Sequence, residues 1–157
     1  HRMGREIERK FLVSSDAWRD GAVGVAFQQG YLSRDPSHTV RVRLAGARGF
    51  LTVKGRRKGL TKPEYEYEIP ASDAAELLRM CLQPLIEKVR YRVAHAGKVW
   101  EIDEFAGVNA GLIVAEIELT AEDEIFALPP WVGAEVTADK RYYNSQLNVR
   151  PFTSWEK

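Results

Sequence analysis

Residues 6–13 read Glu6-Ile7-Glu8-Arg9-Lys10-Phe11-Leu12-Val13. Strand side chains alternate with period two, so an extended reading puts Glu6, Glu8 and Lys10 on one face. Ile7, Phe11 and Val13 fall on the other. Two carboxylates and an ammonium then leave one rigid element in the same direction. Such a group can hold a hard cation and touch an oxygen of that cation's ligand.

The same layout recurs along the chain. Short runs rich in Val, Ile, Tyr and Leu, bounded by turn residues, predict strands over 26–33, 39–45, 50–55, 64–69, 87–94, 99–105 and 112–119. Gly46-Ala47-Arg48-Gly49 and Ala96-Gly97-Lys98 read as hairpin connections. With the opening segment this makes about eight strands. Helices are few. Ser72 is a candidate cap for Asp73–Met80, where Ala74, Leu77, Leu78 and Cys81 make an apolar stripe. Thr120 with Asp123 reads as a capping box for a short helix stopped by Pro129-Pro130. Residues 14–21 read as a short helix, and 133–147 as partly helical. Leu60–Pro63 reads as a loop, and Arg56-Arg57-Lys58 before it as a solvated basic run.

Each strand charges one face. Arg41 and Arg43 alternate with Val40, Val42 and Leu44, and Lys54 opposes Leu51 and Val53. Glu64, Glu66 and Glu68 alternate with Tyr65, Tyr67 and Ile69. Lys88, Arg90 and Arg92 alternate with Val89, Tyr91 and Val93. Glu101 and Asp103 flank Ile102, and Glu116 and Glu118 flank Ile117. A sheet with one wet face accounts for any single strand. The set favours another reading, because most strands carry one sign only and like charges two apart repel unless cations lie opposite. Closing about eight strands with these faces inward makes a lumen that cannot stay dry. It would hold water, metal ions and a ligand that engages both acids and cations, which a polyphosphate does. The Tyr65 and Tyr67 face is expected to be core under the helices. Trp131 and Trp155 are expected to pack the tail.

The chain has 157 residues, 29% charged and 45% hydrophobic. One domain over residues 3–157 is expected, with His1 and Arg2 left out of the fold reading. A net charge of +1, from 23 basic and 22 acidic side chains, argues against a general nucleic-acid binder. Cys81 is the lone cysteine, so no intrachain disulfide forms and a reducing compartment fits. No apolar run approaches the ~18 residues of a membrane span, and no signal-peptide pattern opens the chain. A cytoplasmic protein without membrane partners is expected. His1, His38 and His95 have no zinc spacing with Cys81.

Glu6-Ile7-Glu8-Arg9-Lys10 resembles the ExExK signature of the CYTH superfamily, the triphosphate tunnel metalloenzymes. The resemblance runs from about Met3 to Leu147. It includes Gln29-Gly30-Tyr31-Leu32, Arg41-Val42-Arg43, Thr52-Val53-Lys54-Gly55, Glu66-Tyr67-Glu68-Ile69, Glu87-Lys88-Val89-Arg90-Tyr91, Glu101-Ile102-Asp103, Ala115-Glu116-Ile117-Glu118 and Asp139-Lys140-Arg141-Tyr142. The ordered series is more specific than ExExK alone. It is most similar to the short bacterial members, which hydrolyse inorganic tripolyphosphate.

The resemblance implies an α+β, mainly β fold, an eight-stranded antiparallel barrel or tunnel with a few flanking helices. It implies metal-binding roles for Glu6, Glu8, Asp103, Glu116 and Glu118. It implies phosphate binding by Lys10, Arg41, Arg43, Lys54, Lys88 and Arg90. Arg92 lies on the same face, and Lys140 sits in the tail motif near a tunnel mouth. Glu66 matches a further functional carboxylate, with Glu64 the alternative after a one-residue loop difference. Tyr31, an ordinary strand aromatic on its own, matches a tyrosine paired with the opening lysine in catalysis. Lys10 beside it would lower its pKa and suit it as a base. Oxygen ligands select Mg²⁺ or Mn²⁺.

The expected activity is metal-dependent hydrolysis of a small-molecule triphosphate. The alternatives are a class IV adenylate cyclase, which shares the tunnel, and a non-catalytic polyphosphate- or nucleotide-binding module. Sheet-edge pairing would give a homodimer.

Overall fold

The computed structural model describes residues 5–156. Residues 3–4 and 157 of the expected single unit lie outside the described residues. Nine strands form one antiparallel sheet. They are β1 (Arg5–Val13), β2 (Gly24–Asp35), β3 (His38–Ala45), β4 (Arg48–Gly55), β5 (Thr61–Ile69), β6 (Ile86–His95), β7 (Lys98–Phe105), β8 (Ile113–Glu118) and β9 (Val132–Glu135). The order is β5-β4-β3-β2-β6-β7-β8-β1-β9, and a further β5–β1 pairing closes eight of them into a ring. The expected eight-stranded antiparallel barrel is present, and β9 is added outside it along β1. The closing register sets Glu6 opposite Lys62 and Ile7 opposite Thr61.

Register carries the charged faces to one side. Lys10 lies opposite Glu116, Arg90 opposite Asp103, Thr52 opposite Glu66 and Lys54 opposite Glu64. Because ions fill the lumen, the hydrophobic core lies outside the barrel wall. Trp100 is fully buried there and meets Phe11, Trp131 and Phe126 with ring centroids 5.6, 5.7 and 5.9 Å away. On the other side α1 (Ala71–Met80) lays Ala74, Leu78 and its C-terminal neighbour Cys81 over Val42 and Leu51. Full burial of each large apolar side chain stabilises by about 1.5–3 kcal/mol.

At one end of the lumen the inward face turns apolar. Ile86, Phe105, Leu112, Val114 and Tyr31 cluster with Leu147 of α2 (Asn144–Leu147), which is fully buried. The tail therefore lies across that end and makes the barrel a one-ended cup.

Several local expectations are corrected. Strand β5 begins at Thr61, so Thr61–Pro63 is not loop. Residues 120–131 form turns instead of a helix, with the Thr120 backbone N–H and hydroxyl both donating to Glu124. The tail is helical in part, as expected, at the 3-10 turn Lys140–Tyr142 and the short α2, but it opens with β9. Residues 14–21 hold just a 3-10 turn, Ala17–Arg19. Helix α1 starts after Pro70, which leaves Ser72 inside it. Tyr65 and Tyr67 are exposed at 39% and 45%, because α1 sits over β3 and β4 and leaves β5 uncovered.

Candidate active site: a cup of paired charges

The lumen encloses a cavity of about 170 Å³. Its walls come from alternate residues of the eight barrel strands, and its floor from Tyr143, Asn144 and Ser145 of the tail. Most of the inward carboxylates have a cation within reach. Lys54 Nζ donates to both Glu6 oxygens at 2.9 and 3.0 Å. Lys10 Nζ lies 3.4 Å from Glu116 and 3.8 Å from Glu8. Arg90 forks onto Asp103 at 2.7 and 2.9 Å, and Lys88 reaches the same carboxylate at 2.8 Å. Glu66 accepts from Arg43 at 3.3 Å and from the Thr52 hydroxyl at 3.0 Å, with Arg41 3.6 Å away. Glu101 takes Arg90 at 3.3 Å and Arg92 at 3.2 Å.

Crowding sets protonation. Burial, with the Glu116 and Glu6 carboxylates nearby, pushes the Glu8 carboxyl up to about 8. Glu8 thus keeps its proton at neutral pH and donates to Glu116. Burial alone would raise Glu6, but Lys54 and Lys62 pull it well below the usual carboxylate range. Burial likewise opposes ionisation of Glu116, and Lys10 and Arg90 outweigh it and hold that carboxyl low. Asp103 is buried too, and Arg90 and Lys88 keep it ionised. Tyr31 corrects an expectation. Its phenol is buried, and burial raises its pKa despite Arg41, Lys54 and Lys10 around it.

The structure brings most of the expected residues to one cavity. Glu6, Glu8, Lys10, Tyr31, Arg41, Arg43, Lys54, Glu66, Arg90, Arg92, Glu116 and Glu118 all line it. So does Glu64, which is 2% exposed, so both candidate carboxylates of β5 point inward. Lys88 and Asp103 are buried as a pair behind the cavity surface. Lys140 is exposed on a 3-10 turn and does not line the cavity. Sequence reasoning missed Lys62, Arg57, Tyr143 and Asn144, which do. The period of β5 carried the signal for Lys62, two residues before Glu64.

The donor set suits a hard cation. Glu8 and Glu116 are joined by a proton where two oxygen ligands could share a divalent ion, with Glu6 and Glu118 beside them. Among the described residues no three acids converge into a ready metal cluster. Their oxygens are engaged by Lys10, Lys54, Lys88 and Arg90 instead.

A closed antiparallel ring with a lumen of opposed acids and cations defines a charged-tunnel protein. The chain belongs to the CYTH domain family, whose model matches residues 4–150. It is 49% identical over 156 residues to an inorganic triphosphatase of Acetivibrio thermocellus, covering 99% of this chain and 100% of that one. It is 39% identical over 148 residues to an inorganic triphosphatase of Nitrosomonas europaea, covering 90% and 95%. The crystal structure of the inorganic triphosphatase NE1496 superposes with a TM-score of 0.65 at 37% identity, covering 91% of this chain and 97% of that one. The PH1012 protein of Pyrococcus horikoshii shares the fold, with a TM-score of 0.58 at 19% identity and coverage of 75% and 81%. Family membership implies dependence on a divalent metal. No helix among the described residues is long and apolar enough to cross a membrane.

Proposed function

We propose that this protein hydrolyses inorganic tripolyphosphate to pyrophosphate and phosphate, with Mg²⁺ or Mn²⁺. The observation that carries this reading is a row of buried guanidinium donors in search of acceptors. The Nε atoms of Arg41 and Arg43 are buried without a hydrogen-bond partner, and both side chains line the cavity. An unsatisfied buried donor costs roughly 1–3 kcal/mol, so such groups await an anion. The curated relatives carry the same activity in their names. The cavity, about 170 Å³, is below the roughly 300–1,000 Å³ typical of drug-sized ligand pockets. That favours a bare phosphate chain over a nucleotide, and hydrolysis over cyclisation of ATP.

Phosphoryl transfer needs placement and charge neutralisation more than covalent help. Lys10, Arg41, Arg43, Lys54 and Arg90 would grip the phosphate oxygens, arginine by its fork. Each of these cations now holds a carboxylate or lies beside one. Their move to phosphate would release Glu6, Glu8 and Glu116 to ligate the divalent ion, with Glu118 lining the cavity beside them. That ion would supply Lewis-acid polarisation and a more acidic water. Asp103 would contribute either as a ligand or by holding Lys88 and Arg90 in place. Glu66 would fix the fork angles of Arg41 and Arg43. Water attacks the terminal phosphorus, the bond to the pyrophosphate oxygen breaks, and the water's proton is taken up within the site. Lys10 and Tyr31 are the pair proposed to handle that proton. Burial keeps the phenol protonated in the free protein, so Tyr31→Phe measures its share. Arg92 would draw substrate in at the mouth, and Lys140 would act only from outside the cavity.

The setting we propose is cytoplasmic, with a free small-molecule substrate and no nucleic acid. A homodimer through a sheet edge would show in light scattering. The deciding assay incubates the protein with tripolyphosphate, ATP and thiamine triphosphate plus Mg²⁺ or Mn²⁺ and identifies the products. Phosphate and pyrophosphate from tripolyphosphate are expected. Cyclic AMP from ATP would overturn the hydrolase reading, and tight polyphosphate binding without turnover would make the protein a binding module.

A further inference from the structure

The floor of the cup holds two cations that the wall ion pairs do not account for. Arg57 lies on the β4–β5 connection and Lys62 on β5, and both line the cavity beside Tyr143. The Tyr143 ring collects three positive groups. Arg57 Cζ lies 5.0 Å from its centroid, and Lys62 Nζ and Lys10 Nζ each lie 5.8 Å away. Lys10 also has Glu116 and Glu8. Neither Arg57 nor Lys62 has a carboxylate within salt-bridge distance among the described residues, and the Arg57 Nε is buried with no hydrogen-bond partner. Three like charges gather around one ring; Glu6, opposite Lys62 across the β1–β5 pairing, offsets Lys62 from beyond ion-pair distance, and Arg57 keeps an unpartnered buried Nε. Cation–π attraction holds such a cluster only in part, by about 0.5–2 kcal/mol per contact. An anion at that point would complete it.

The tail decides which part of the anion arrives there. Tyr143, Asn144 and Ser145 form the floor, and Asn144 Oδ1 accepts from Lys88 at 3.2 Å and from Gln29 at 3.3 Å. Leu147 stops the apolar end behind them. An esterified phosphate would have to project its organic group through this closed end. A terminal phosphoryl group needs no such exit, and it carries about −1.5 to −2 charge, as a phosphomonoester does. We propose that Arg57 and Lys62, braced on the Tyr143 ring, form a floor subsite that takes the terminal, unesterified phosphoryl group of the triphosphate. The subsite rests on the triphosphate reading above. It makes the cup read the end of a chain: a triphosphate with one free end must enter that end first, and one esterified at both ends is refused.

Isothermal titration tests this with inorganic tripolyphosphate and with diadenosine triphosphate, which is esterified at both ends. The proteins are the wild type, Arg57→Gln, Lys62→Gln, the double variant and Arg57→Lys, with matched melting curves as the fold control. The wild type is expected to bind tripolyphosphate and to refuse the doubly esterified compound. Each Gln variant should weaken tripolyphosphate binding at least about tenfold, as loss of a charge-assisted contact does. Arg57→Lys should recover part of that loss, and steady-state turnover should change through KM before kcat. A double variant that binds tripolyphosphate like the wild type overturns the subsite while leaving the triphosphate reading intact. So does a wild type that binds both compounds equally. A wild type that binds no tripolyphosphate overturns the triphosphate reading itself, and the subsite with it.

Discussion

Asp103 is fully buried and accepts from Arg90 twice and from Lys88 once. Removing its charge strands two cations in a low-dielectric wall. Asp103→Asn should therefore destabilise the fold by about 3–5 kcal/mol, read as a lower urea midpoint. Glu116→Gln is gentler in structural terms, since Glu116 faces the cavity and holds Lys10 at 3.4 Å. It should abolish metal-dependent turnover while the melting curve stays cooperative, and unchanged turnover would take Glu116 out of the site. Single residues were legible where alternation ran unbroken, as at Arg41, Arg43, Glu116 and Glu118. Lys62 was lost because Pro63, which lacks a ladder donor, made its segment read as loop. Arg57 was lost because a basic run in a connection ordinarily faces water. Tyr143 and Asn144 lie in irregular backbone, where no period shows which way a side chain points.

Among the elements, α1 depends on a missing side chain. A Cβ on Gly49 of β4 would lie 2.7 Å from the Ala74 Cβ and 3.0 Å from the Ile69 carbonyl oxygen. Gly49→Ala should push α1 away from the sheet and cost about 1–3 kcal/mol in a denaturant titration, although alanine suits a strand no worse than glycine. The strands themselves were readable from the pleat. Two elements were not. Strand β9 has four residues, two of them Gly133 and Ala134, and it forms because the β5 pairing leaves the edge of β1 after Ile7, where Phe11 and Val13 need other partners. The supposed helix at 120–131 fails because Glu124 turns back onto Thr120 and satisfies its N–H, and because Trp131 must reach Trp100. Tertiary packing overruled local preference in both places.

For the molecule as a whole, acid stability is set partly by pairs outside the cup. Arg19 hydrogen bonds hold the Glu104 carboxyl below its ordinary range, Arg9 does so for Glu135, and Arg141 for Asp139. A carboxyl depressed on folding stabilises the fold in full above its unfolded pKa, near 4, and loses that contribution as pH falls through the folded value. The Glu8 carboxyl, raised on folding to about 8, adds stability as pH falls from about 8 toward its unfolded value, so urea midpoints should rise from about pH 8 to about pH 5 and, as these three pairs are lost, drop below about pH 4. A flat profile through that window would remove these pairs from the account.

The closed floor has a consequence for traffic. One doorway serves both arrival and departure, so a pyrophosphate still lodged inside bars the next guest. Pyrophosphate should inhibit turnover competitively against tripolyphosphate, raising apparent KM and leaving the maximal rate untouched. Noncompetitive inhibition would mean that the two ions travel by separate routes.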